Sequence, residues 1–97
     1  MQNLIFHPDV KEEIKVFYQW YQKQAEGLGE DFLSELDASF HIISEYPDSW
    51  PNFHIGFKRY LLSKFPFSVI YRERGGKLYV VAVMHHRRKP GYWFGRL

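Results

Sequence analysis

His85-His86-Arg87-Arg88-Lys89-Pro90-Gly91-Tyr92-Trp93 packs two imidazoles, three cations, a phenol and an indole into one short segment. Together with Lys58, Arg59, Arg72 and Arg96, it makes up most of a strongly basic second half. Residues 54–97 hold ten Lys/Arg against the single acid Glu73, whereas residues 1–53 hold three Lys/Arg against ten Asp/Glu. The formal charge of +2 therefore conceals a chain of −7 followed by one of +9. Such an asymmetry suits an anionic partner, nucleic acid or an acidic protein. A basic concavity with aromatic rings binds a phosphate backbone and stacks on unpaired bases.

If the cluster is catalytic, its chemistry is metal-free cleavage of RNA. That reaction needs a base for the 2′-hydroxyl, cations for the phosphorane charge and an acid for the leaving oxygen. His85 or His86 would supply base or acid, Arg59, Arg87 and Arg88 the positive charge, and Tyr92 a second proton-transfer group. Lys58, Arg72, Lys89, Trp93 and Arg96 would then hold the target. A purely structural reading uses the same residues: cations at strand edges block edge-to-edge pairing, the tail is solvated, and Tyr92 and Trp93 lie back over the core. Adjacent strand residues point to opposite faces, so His85 and His86 are poorly placed to chelate one ion. His7, His41 and His54 are scattered. No metal or cofactor is expected.

The elements that position these groups follow from periodicity. Leu4 to Phe6 reads as a short strand stopped by His7-Pro8. Val10, Ile14, Phe17, Tyr18 and Tyr21 place an apolar stripe on a helix over about residues 9–25, with Pro8 in its first turn and Asp9 and Glu12 as capping candidates. Gly27 and Gly29 break it. A second helix carries Phe32, Leu33, Leu36, Phe40 and Ile43, starts with Glu30 and Asp31 in its first turn, and ends at Tyr46-Pro47. A link this short implies an antiparallel hairpin of helices. Residues 47–56 read as a loop, and the period then changes to two, giving strands at Phe57–Leu62, Ser68–Arg72 and Lys77–His85. Gly75-Gly76 turns the last two into a hairpin. Leu78 to Met84 is apolar at nearly every position, as in a central strand covered by helices on one face and shielded on the other. The expected fold is α+β: a two-helix hairpin packed on a small, mostly antiparallel sheet in the order βααβββ, as a single domain over residues 1–97.

There is no cysteine, so neither a disulfide framework nor a thiolate zinc site is available. The start, Met1-Gln2-Asn3-Leu4-Ile5-Phe6-His7-Pro8, lacks the basic and apolar pattern of a signal peptide, and the longest apolar run is far too short to span a bilayer. A cytoplasmic protein with no membrane partner is expected.

Phe65-Pro66-Phe67-Ser68-Val69-Ile70-Tyr71, a glycine hairpin, and then Val80 through Trp93 resemble the RelE/ParE toxin superfamily over essentially the whole chain. The strand, His7-Pro8 and the aromatic helix ending near Trp20-Tyr21 fit the same pattern. The resemblance implies a toxin of a type II toxin–antitoxin pair with a βααβββ fold and a cognate antitoxin as partner. The antitoxin's acidic or amphipathic segment would lie in an apolar groove or extend the sheet edge, with Phe17, Tyr18 and Tyr21 as contacts where they are not core. It implies two target classes as well. RelE-like members cut mRNA in the ribosomal A site without a metal, while ParE-like members block DNA gyrase by binding. By position, Arg59, His86 or Arg87, and Tyr92 fall where the ribonucleases place functional residues. Leu61 and Ser68 stand where those enzymes carry cations. A non-toxic or decayed binding module of the same fold is the alternative.

Overall fold

A computed structural model describes residues 3–96; Met1, Gln2 and Leu97, the ends of the expected domain, lie outside the described residues. The elements are β1 (Leu4–Phe6), α1 (Pro8–Gln24), α2 (Leu28–Glu45), β2 (Asn52–His54), β3 (Phe57–Leu61), β4 (Phe67–Arg74) and β5 (Lys77–His85). They form one sheet in the order β1-β5-β4-β3-β2. Among the described residues, only the β1–β5 pair is parallel. The α+β architecture matches the expectation, with one addition. The segment read as a loop contains β2, which pairs irregularly with β3 across a turn at Gly56, where φ is +82°.

α1 begins at Pro8, whose missing N–H costs nothing there. Its cap is the ring of His7, whose Nδ1 accepts from the Asp9 N–H at 3.1 Å, rather than the Asp9 and Glu12 side chains expected from sequence. α2 follows Gly27, whose φ of +84° turns the chain back, and Gly29 lets the helices approach closely. Its first-turn acids Glu30 and Asp31 complement the helix dipole.

The sheet is covered on both faces. Val10, Tyr21, Phe32, Leu36 and Ile43 of the helices pack on Phe67, Val69, Tyr71, Leu78, Val80 and Val83. Phe67 is the aromatic centre, 4.6 Å from the Phe17 ring and 5.0 Å from Phe32. Leu33, expected in the buried stripe, is exposed. On the opposite face, Phe57, Ile70, Val81, Ala82 and Met84 are sealed by Trp93. That second cover explains why β5 is apolar almost throughout.

A bulge sets the facing of β5. Ile70 pairs with Ala82 while Tyr71 pairs with Val80, leaving Val81 as the extra residue. Val81 and Ala82 both join the Trp93 cluster, and Val83 returns to the helix side. Without the extra residue, the side chains beyond it would exchange faces.

Candidate target-binding face

Past His85 the chain turns across the face opposite the helices. The His86 N–H bonds to Pro66 O at 2.9 Å, and the Arg88 N–H to His85 O at 3.0 Å. Gly91, at φ +105°, bends the tail so that Trp93 can enter the core. Trp93 is 0% exposed, its Nε1–H donates to Met84 Sδ at 3.4 Å, and its ring lies 4.8 Å from Phe57. It therefore cannot serve as the target-binding surface expected from sequence; it anchors the tail instead.

Arg96 is corrected in the same way. Its Nη1 donates to Glu13 Oε2 at 2.8 Å and to Val81 O at 3.0 Å, and its side chain is 15% exposed. Glu13 in turn accepts the Val83 N–H at 3.1 Å. β1 covers β5 only as far as Val80, so this ion pair satisfies backbone groups of β5 beyond the cover. Arg96 is committed to the fold, and Glu13, which sequence reasoning passed over, is the residue that commits it.

The remaining groups divide between the two faces. Lys58 alternates away from Arg59 and donates to Trp50 O at 3.0 Å. His85 sits on the helix side, 5.0 Å from the Phe67 ring and 6.2 Å from Phe17. Burial, then the charges of Arg87 and His86, push its pKa down and favour the neutral ring. It borders an apolar groove of about 550 Å³ with Val16, Phe17, Trp20 and Tyr21, and Arg87 stands at the rim. Lys89 is exposed on the tail. Arg72 lies over the Phe57 ring at 4.7 Å.

Arg59, Arg88 and His86 do converge. They line a hollow of about 260 Å³ with Phe53, Leu61, Met84 and Pro90. Arg59 Cζ is 4.1 Å from the Phe53 ring centroid, and Arg88 Cζ is 3.5 Å from that of Tyr92. Leu61 pairs with Ser68 across β3–β4, and Ser68 pairs with Met84 across β4–β5. The two positions are therefore neighbours, Leu61 in the wall of the hollow and Ser68 buried beside it. Ser68 Oγ is 3.0 Å from His86 Nε2. Phe53, the support of Arg59, was hidden in the segment read as a loop.

Tyr92 is half-buried between Arg88 and Arg96, whose Cζ lies 5.1 Å from its ring. Burial and the nearby Glu13 carboxylate, which also takes a hydrogen bond from the phenol, push its pKa up to about 12 against the pull of the two arginines. A phenol holding its proton so firmly is a poor acid or base at neutral pH. The arrangement therefore offers positive charge and one imidazole, His86, which also borders the apolar groove where His85 lies.

A helical hairpin on a five-stranded sheet is the α+β fold that the resemblance to RelE/ParE toxins implied. Residues 4–90 match the model of the ParE toxin of type II toxin-antitoxin system, parDE, and the chain belongs to that family. Among solved structures it is similar to a chain of the chromosomal ParDE TA system from P. aeruginosa, with a TM-score of 0.77 and 13% identity over 88% of this chain and 96% of that one. At that identity the likeness shows the fold. No curated protein sequence matches the chain. Among the described residues, no helix is long and apolar enough to cross a membrane.

Proposed function

We propose that the chain is the toxin of a type II toxin–antitoxin pair that arrests growth in the cytoplasm by binding DNA gyrase, and that a cognate antitoxin silences it. The observation that carries the gyrase reading is the hollow between β3 and the tail. Leu61 lines it and Ser68 lies buried beside it, where the resemblance to the ribonucleases leads one to expect cations, and Tyr92 keeps its proton to about pH 12. Each positioned charge contributes roughly 10²–10³ to a reaction that works by charge stabilisation, so the hollow is poorly equipped for cleavage. Binding needs none of that machinery. Arg59, Arg88, His86, Arg72 and Lys89 are the proposed contacts.

Ribosome-dependent mRNA cleavage is the second reading. What favours it is the imidazole of His86, held 3.0 Å from the buried Ser68 hydroxyl, in the hollow that Arg59 and Arg88 share. Induction without the antitoxin separates the possibilities. The gyrase reading predicts growth arrest with intact transcripts and DNA-damage signalling. Cuts in translated mRNA that Arg88→Ala abolishes would establish the nuclease, and unimpaired growth would mark a decayed module.

A further inference from the structure

The arginines of the hollow are already spoken for by the chain's own aromatic rings. Arg59 covers Phe53, and Arg88 covers Tyr92, which Arg96 also approaches. The indole of Trp93 is fully buried. The rings beside the hollow, Phe53, Tyr92 and Trp93, are thus covered or internal, while the open rings of Trp20, Tyr46 and Phe94 do not line it, and stacking on an open ring is a main source of single-strand affinity. What remains open is a pair of guanidinium groups, each held over a ring, above a floor of Leu61, Met84 and Pro90. Leu61 is 50% exposed, an apolar contact waiting in a basic frame.

We infer that this hollow receives a carboxylate side chain from an acidic surface of the protein target, and not a nucleic acid. The inference deepens the gyrase reading by naming the chemistry of the contact, and it rests on that reading for the target being a protein. A guanidinium preset over a ring loses little freedom when it binds, and its planar fork matches a carboxylate with two parallel hydrogen bonds. The apolar floor suits the methylenes of a Glu side chain and an aliphatic neighbour. His86 stands at the same rim.

Arginine-to-lysine exchange is the discriminating test, because lysine serves a phosphate as a point charge but loses the fork and the stack. Binding of two probes to the wild-type chain and to an Arg59→Lys/Arg88→Lys double variant is measured. One probe is a Glu-rich peptide carrying leucines, the other a single-stranded RNA oligonucleotide. The peptide affinity of the variant is expected to fall roughly tenfold or more while its RNA affinity holds. Leu61→Ser, a change the fold tolerates at so exposed a position, is expected to weaken the peptide alone. Failure of the wild type to bind the peptide, or a pattern in which both probes or neither respond, overturns the inference. Gyrase is tested separately. If the wild-type chain binds the peptide as described but leaves supercoiling unchanged, the gyrase reading fails while the carboxylate chemistry stands. If supercoiling is inhibited equally by wild type and double variant, the assignment of the hollow to the target is overturned and an acidic antitoxin segment is its occupant.

Discussion

Arg96 and Glu13 are 83 positions apart, yet their side chains meet at 2.8 Å and complete the hydrogen bonding of β5. Both are largely buried, at 15% and 13% side-chain exposure. Removing one partner leaves a shielded charge and unpaired backbone groups. Arg96→Ala is therefore expected to destabilise the fold by about 2–4 kcal/mol in urea denaturation, and Arg96→Lys by less. The tyrosines make a second prediction at this scale. Burial, reinforced by Asp48, raises Tyr71 to about 12, and Tyr92 reaches a similar value through burial and Glu13. Because the folded state holds these protons more tightly than the unfolded chain does, the stabilisation is complete below pH 10. It drains away as pH rises toward about 12. For fully buried Tyr71 alone, two pH units amount to roughly 2–3 kcal/mol. Thermal midpoints measured across that window should fall steeply, and Tyr92→Phe should lessen the fall. A flat profile would mean that the phenols ionise in the folded state.

Elements were readable wherever their signal was local. The two helical stripes, the glycine hairpin and the three long strands all show in the periodicity, and their ends fall close to those seen. β2 did not show because three residues between Pro51 and the Gly56 turn carry no period. Neither did the bulge at Val81, which sits inside an unbroken apolar run. That extra residue sends Val83 to the helices and Met84 to the tail, so it decides which face each side of the site occupies. The helix hairpin has a similar pivot. Gly29 donates to Gln22 Oε1 at 2.7 Å, and a Cβ there would come within 2.8 Å of Tyr18 Cδ1 and 2.6 Å of Gln22 Cγ. Gly29→Ala is thus expected to cost about 1–3 kcal/mol, despite alanine's better helix propensity. Gly29→Ala in a Gln22→Ala background should recover part of that loss. A stabilised single variant in chemical denaturation would refute the close packing.

Across the whole molecule, the charge asymmetry seen in the sequence has been sorted into two uses. Part of it is structural: Arg96 holds the tail down, and Lys58 ties β3 to Trp50. Part stays at the surface, with Arg59, Arg88 and His86 around one hollow and Arg87 at the rim of an apolar groove on the other side. Sequence showed that the cations were concentrated but not which were committed, because commitment depends on partners distant in the chain, such as Glu13. Trp93 couples the two uses, since its burial lays the tail across the sheet. Trp93→Ala should cost about 3–5 kcal/mol and release the arginines from their arrangement, so target binding and stability are expected to fall together. On the proposed reading, the assembled face stops an enzyme by binding it. The most direct test adds the purified chain, freed of its antitoxin, to purified DNA gyrase and relaxed plasmid. Supercoiling is expected to fall as the chain is added and to be spared by Arg59→Ala/Arg88→Ala. Undiminished supercoiling by a folded, growth-arresting chain would contradict that reading.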